Sequence, residues 1–205
     1  MNKISTIAKV VGVTLIVAAS SQAMAEEATG NASVTVQNSF TFEETTALSF
    51  GIIQVSADIT SAAGASKEAT LTISADTEVA PISTTDPLAK LAVIEAGTPG
   101  TFTISGVGPY SRLTITLPNS EPLKAQGSPL STDAQFTVGS FTAMSTTGTS
   151  SAVVGGTDLL LADESGSATF AVGATLTTDV RGSTLATTNY GDGIYEGTFT
   201  ITASY

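Results

Sequence analysis

Residues Ile194–Tyr205 read IYEGTFTITASY, with Tyr195, Phe199, Ile201, Ala203 and Tyr205 on alternate positions and mostly Thr, Glu and Ser between them. Successive side chains along a strand point to opposite faces, so this stretch reads as one β-strand with a single apolar face, running to the last residue of the sequence. A terminal strand of this kind can be completed by another chain or lent to one. That points to assembly rather than catalysis.

The same alternation recurs upstream at short intervals. It appears at Val34 and Val36, at Phe40 and Phe42, at Leu48, Phe50 and Ile52, and at Leu71 and Ile73. It continues at Phe102 and Ile104, at Leu113, Ile115 and Leu117, at Phe136 and Val138, and at Phe170, Val172, Ala174 and Leu176. The residues between are mainly Thr, Ser and Gly, and β-branched Thr suits a pleated, half-exposed surface. Many short strands separated by Gly, Pro, Ser and Asp turns predict an all-β fold, a single antiparallel β-sandwich of Greek-key character. No amphipathic helix interrupts the pattern and no internal repeat is present. Three segments read as loops: Asp58–Glu68, Asp76–Pro87 with Pro81 and Pro87, and the low-complexity run Ser145–Gly156.

The first residues read as a processing segment. Lys3 and Lys9 precede the apolar stretch Val10–Ser20, and Ala23-Met24-Ala25 supplies the small residues a signal peptidase recognises. The stretch is shorter than the roughly 20 residues a membrane span needs. The reading is therefore a signal peptide over residues 1–25, cleaved before a domain of residues 26–205. The protein is expected to be exported to the periplasm, the cell surface or the extracellular space, with no membrane span in the mature chain. A domain of this length buries about 70% of its unfolded surface without covalent staples.

Composition removes several classes of function. The chain has no Cys, no His and no Trp, so it has no disulfide framework and no Ser-His-Asp or Cys-His arrangement. It also lacks the commonest general base and transition-metal ligand. The formal net charge is -11, and loss of Lys3 and Lys9 would make it more negative still. Such a chain repels nucleic acid and anionic membrane surfaces; an acidic surface also suits plain extracellular solubility.

The polar residues offer few candidate sites. The sequence-local carboxylate pairs, Glu26/Glu27, Glu43/Glu44 and Asp163/Glu164, point to opposite faces if they lie on strands and so do not converge on a substrate. Oxygen ligands for calcium exist around Asn189, Gly191, Asp192 and Gly193, and around Asp158, Asp163 and Glu164. Neither set follows the EF-hand spacing, and Asn-Tyr-Gly-Asp-Gly is ordinary turn chemistry. Gly106-Val107-Gly108-Pro109 is followed by a strand rather than by the helix a phosphate cradle needs. Asn31-Ala32-Ser33 fits a glycosylation acceptor, relevant only in a host that modifies it. The expectation is therefore no enzyme, no cofactor and no metal.

The motifs at these strands carry a family resemblance. Leu48-Ser49-Phe50-Gly51, Phe102-Thr103-Ile104-Ser105-Gly106, Tyr110 with Leu113-Thr114-Ile115-Thr116-Leu117-Pro118, Phe170–Leu176 and Gly193–Phe199 occur in an order that resembles the secreted bacterial family labelled domain of unknown function 4402. That resemblance implies an exported β-sandwich with no established activity. A looser resemblance links Gly191, Gly193 and Tyr205 to pilin subunits of the chaperone–usher type. The aromatic is here the last residue, and the cysteine pair common in those pilins is missing. In those assemblies an N-terminal extension completes the neighbour's sandwich by strand addition. Ala32–Val36, through Val34 and Val36, has the pattern of such a donor or of its own domain's first strand.

The leading expectation is thus an exported structural subunit that assembles, with itself or another β-sandwich subunit, by strand addition. Phe199, Ile201, Ala203 and Tyr205 form its core-facing terminal row, where Phe199→Asp should damage folding or assembly. The alternatives are a secreted monomeric module that binds carbohydrate or calcium, then an enzyme, then an outer-membrane barrel. The barrel would need longer strands and richer aromatic girdles than 8 Phe and 4 Tyr supply.

Overall fold

Residues 27, 29–36, 39–57, 68–127, 133–148, 151–153, 159–179 and 190–204 are described by the computed structural model. The signal-like segment 1–25, residues 58–67 of the first predicted loop, Asp158, Asn189 and Tyr205 lie outside them. The chain divides into two compact units, Met1–Val36 and Gln37–Tyr205. In the first, Thr29–Val36 forms no strand or helix, and Val34 and Val36 are 85% and 72% exposed.

The second unit holds every described strand, and no described residue is helical. The strands are β1 (Thr41–Thr46), β2 (Ser49–Ala57), β3 (Thr70–Ile73), β4 (Ile82–Thr84), β5 (Ala89–Thr98), β6 (Gly100–Ser105) and β7 (Arg112–Thr116). They continue with β8 (Ser120–Ala125), β9 (Phe136–Ser145), β10 (Ser151–Val153), β11 (Leu159–Leu161), β12 (Ser167–Thr177), β13 (Tyr195–Glu196) and β14 (Thr202–Ser204). All their pairings are antiparallel, as the alternation predicts. The largest sheet runs β1-β6-β12-β9-β8-β13, with β10 on β9 and the β3–β4 pair on β12. A three-stranded sheet, β11-β7-β14, and a two-stranded sheet, β2-β5, complete the set.

Strand β12 organises the large sheet. Its first half pairs with β6, from Ser167↔Ser105 to Val172↔Gly100, and its second half with β3, from Ala174↔Ile73 to Thr177↔Thr70. One apolar row, Ala168, Phe170, Val172, Ala174 and Leu176, therefore serves two core clusters. The first joins Phe102, Ile104 and Phe170 of the large sheet to Leu113, Ile115 and Leu160 of the three-stranded sheet. The second joins Leu71, Phe136, Val138 and Leu176 to Ala89 and Leu91 of β5, with Phe50, Ile53 and Val55 of β2 partly buried against it.

Strand β9 also serves both clusters, by changing face. Ser140 has a φ of 48°, and the register against β12 slips between Gly173↔Thr142 and Thr175↔Gly139. The extra residue is a β-bulge, which moves the buried row from Phe136 and Val138 to Ala143 and Ser145. Phe141, at the switch, packs against both clusters. Opposite the bulge, a Cβ on Gly173 would overlap the Ile73 carbonyl oxygen and the Ala75 nitrogen. The position takes only glycine because another backbone passes directly over it.

Several sequence expectations change in detail. The terminal stretch is not one strand: β13 pairs with β8 in the large sheet and β14 with β7 in the three-stranded one. Residues 197–201 cross between them. Within Asp76–Pro87, Ile82–Thr84 forms a short edge strand against β3, flanked by the prolines rather than containing them. Within Ser145–Gly156, residues 151–153 return as β10 to pair with the end of β9. Strands β5 and β8 carry no clear alternation and were not anticipated. Pro122 sits inside β8, opposite Thr137.

Candidate functional site

The terminal segment and β2 bound a cleft of about 880 Å³. Its floor is Leu123 of β8 with Phe136 and Val138 of β9. One wall is β2 with Leu48 just before it, and the half-buried row reads Leu48, Phe50, Ile53 and Val55. The row changes parity after Gly51, which takes a φ of 78°, and between Ile52 and Ile53 the register slips past one extra residue of β5, Ile94. Among the described residues β2 pairs only with β5, so its other edge is unpaired.

Residues 190–199 form the opposite wall, and aromatic stacking holds it in place. Tyr190 stacks on Phe136 with ring centroids 4.4 Å apart, and Tyr195 meets the same ring edge-on at 5.0 Å. The Tyr190 hydroxyl accepts a hydrogen bond from the Asp179 N–H at 2.6 Å and donates to the Gln135 carbonyl at 3.2 Å. The Gln135 N–H in turn donates to Asp179 Oδ2 at 3.2 Å. The Tyr195 hydroxyl donates to the Gly191 carbonyl at 3.2 Å, and burial pushes its pKa above the ordinary tyrosine value. The Gln126 N–H reaches the Ile194 carbonyl at 2.8 Å, extending the β8–β13 ladder.

The cleft lining mixes polar residues with exposed apolar ones. Ile52, Ile94 and Ile194 belong to it while 53%, 69% and 64% exposed. Glu121, Asp192 and Glu196 are the charged residues of the lining, and no Lys or Arg joins them.

Of the predicted terminal row, Phe199, Ile201 and Ala203 are half-buried against the first cluster, and Tyr205 lies outside the described residues. Phe199 alone of these also lines the cleft, its ring 5.1 Å from Phe141 and 6.2 Å from Phe102. The structure therefore groups Phe199 with Tyr190, Tyr195 and Phe136, residues that sequence reasoning did not assign to a site. Their signal was present: aromatic residues just before and at the start of an amphipathic strand have to pack somewhere.

Of the candidate cation ligands, Asp163 is engaged in a turn, and Asp158 and Asn189 lie outside the described residues. Asp163 Oδ1 accepts from the Ser165 hydroxyl at 2.7 Å, the Ser165 N–H at 2.8 Å and the Ser167 N–H at 2.9 Å. These bonds, the hydroxyl foremost, hold its carboxyl below the usual range. The bonds close the turn that leads into β12. Among the described residues no three or more Asp or Glu side chains converge on a metal position. Glu43 and Glu44 face Thr103 and Phe102 at successive positions of the β1–β6 ladder, hence on opposite faces. Gly106–Pro109 forms a turn between β6 and β7, with the Val107 N–H on the Gly166 carbonyl. No described helix is long and apolar enough to cross a membrane.

An antiparallel all-β domain with an open cleft beside a strand edge that no described residue pairs defines the general class. The family profile described as Domain of unknown function (DUF4402) matches residues 40–205, and the chain belongs to that family. Comparison with curated proteins gave no match, and comparison with solved structures gave none either.

Proposed function

We propose that the protein is an exported, non-enzymatic structural subunit of a cell-surface or extracellular assembly, joined to its neighbours by strand addition in the β2 cleft. The observation that carries this reading is a strand edge left unpaired among the described residues, together with a half-buried apolar row along the same cleft wall. Strand addition needs both: backbone hydrogen bonds supply affinity, and alternate side-chain pockets supply register. An edge of this kind left bare also invites uncontrolled pairing, which natural proteins avoid. The signal-like N-terminus and the acidic, cysteine-free composition fit export.

The test is the mass of the purified protein in solution over a concentration series, combined with amide hydrogen exchange along β2. Assembly accompanied by slowed exchange of β2 amides supports the reading. A monomer at every concentration, alone and with its secreted neighbours, whose β2 amides exchange unchanged would refute it. The aromatic wall at Tyr190 and Tyr195, with Glu121 and Asp192 nearby, favours a second reading, a monomeric carbohydrate-binding module. Saturable quenching of tyrosine fluorescence by a glycan would favour it.

A further inference from the structure

We infer that a second cavity, walled by Tyr110, is a binding site for a neutral saccharide, with the tyrosine ring as the platform on which a pyranose stacks. It shares no lining residue with the β2 cleft, and the inference does not depend on what fills that cleft.

The cavity measures about 570 Å³ and lies where the β9–β10 hairpin of the large sheet meets the end of β11. That size falls within the roughly 300–1,000 Å³ of small-molecule sites. Tyr110 has a φ of 57°, a left-handed conformation that glycine adopts freely and a bulky residue adopts at a cost. Three hydrogen bonds fix this backbone. The Tyr110 N–H donates to the Asp163 carbonyl at 3.2 Å, the Ser111 N–H to the Gly108 carbonyl at 3.1 Å, and the Ala162 N–H to the Ser111 carbonyl at 2.9 Å. The ring adds little to the core: it is 63% exposed, whereas every other described Phe and Tyr is buried or half-buried. Backbone strain of this kind clusters at ligand sites. Here it holds the ring at the cavity wall, near the exposed Leu161.

The cavity also holds a buried hydroxyl without a good partner. Ser145 is only 6% exposed, and among the described residues its Oγ makes one hydrogen bond, donated to the Thr147 carbonyl at 3.4 Å. An O–H···O bond normally spans roughly 2.5–3.0 Å, and no described donor reaches the Ser145 lone pairs. Buried polar groups are nearly always paired, and a sugar hydroxyl, which both donates and accepts, is the matching partner. Asp163, fixed by its turn, and Glu164 add carboxylates to the lining, and no Lys or Arg joins them. Anionic ligands, phosphates and acidic sugars included, are therefore repelled. The carboxylates accept from sugar hydroxyls, and the ring covers the C–H face of a pyranose. A quaternary ammonium ion would suit the ring and the carboxylates, but it offers nothing to the Ser145 hydroxyl.

The experiment titrates dilute purified protein with neutral methyl pyranosides and disaccharides of glucose, galactose, mannose and N-acetylglucosamine, and with tetramethylammonium, following amide shifts by NMR. A saccharide should bind with a dissociation constant on the order of 1 mM and move the amides of Tyr110, Ser145 and Glu164. Tyr110→Gly should weaken that binding about tenfold while the urea midpoint stays level or rises, because glycine suits the left-handed backbone. Ser145→Ala should weaken it about three- to tenfold with little effect on the fold, since the hydroxyl it removes has no good partner. A ring with a purely structural role gives the opposite pattern, a lower midpoint for Tyr110→Gly at unchanged affinity, and that result would overturn the inference. Failure of every sugar to bind would overturn it too, leaving Ser145 to water. Binding of tetramethylammonium alone would assign the site to cations instead. Sugar-induced shifts confined to Tyr190 and Tyr195 would move recognition to the β2 cleft and sink the Tyr110 site. If Tyr110→Gly misfolds, Ser145→Ala decides: wild-type affinity in that variant overturns the site.

Discussion

Replacing Phe199 with alanine isolates what the terminal segment contributes to the fold. Truncating a fully buried phenylalanine costs about 3–5 kcal/mol, through lost transfer energy and the cavity left behind. Phe199 is half-buried, so about half of that applies. Its ring contacts with Phe141 at 5.1 Å and Phe102 at 6.2 Å lie within the range where aromatic pairs contribute about 0.5–1.5 kcal/mol beyond area. The expected loss is therefore about 2 kcal/mol, a large share of the roughly 5–15 kcal/mol that holds a domain together. Urea unfolding should show a lower midpoint at unchanged slope, and the melting temperature should fall by about 4–8 °C. Phe170→Ala is the internal standard: that ring is fully buried and stacks on Phe102 at 5.5 Å, so its loss should be nearer 3–5 kcal/mol. A double-mutant cycle with Phe141→Ala should return a coupling of about 0.5–1.5 kcal/mol. A cost below about 0.5 kcal/mol for Phe199→Ala, with no coupling to Phe141, would refute the placement of the crossing between β13 and β14.

Gly173→Ala should destabilise by more than about 2 kcal/mol in urea, because the new Cβ meets backbone of β3 and its exit rather than a side chain that can move; a neutral substitution would remove the close approach. Asp163 has a carboxyl held below its ordinary value of 3.8 by the hydrogen bonds of its turn. A depressed folded value means that its contribution is complete above 3.8 and is lost as pH falls through the lower, folded value. The stability gap between wild type and Asp163→Asn should thus stay constant near neutrality and close in that acid window, and a gap independent of pH would contradict it. If the cleft is filled by a second chain, the melting temperature should rise with protein concentration by mass action, and an invariant value would count against occupancy.

Much of the core was legible because burial writes itself into alternation. Phe102 and Ile104, Leu113 and Ile115, Phe136 and Val138, and Phe170, Val172, Ala174 and Leu176 of β12 read as apolar faces, and all are buried. Strand β5 escaped because only Ala89 and Leu91 are buried; Ala92 to Ala96 lie exposed and print no pattern. Strand β8 escaped because Pro122 argues against a ladder position. The bulge at Ser140 was invisible for a different reason. Alternation reports which face a side chain takes, and a bulge changes that face without an unusual residue to announce it. The terminal stretch shows the same limit: Phe199, Ile201 and Ala203 keep their apolar face while the backbone changes partners from β8 to β7. The cleft was beyond reach altogether, since it depends on which strand edges meet.

The two ends of β12 explain why the cleft lies where it does. At the first cluster a three-stranded sheet covers the large one, and Leu113, Ile115 and Leu160 are sealed from water. At the second, the cover is β2 and β5, and the β2 row remains half-exposed. The terminal segment reaches both ends, pairing with β8 through Tyr195–Glu196 and with β7 through Thr202–Ser204, so neither sheet is widened by more than a few residues. Had Ile194–Tyr205 stayed on one sheet as a full strand, that edge would have been long and regular. Dividing it shortens each edge, a known defence against indiscriminate pairing, and leaves β2 as the long strand beside the cleft with one side that no described residue pairs. On the proposed reading, that open wall beside a shortened terminal edge is where a single partner would dock.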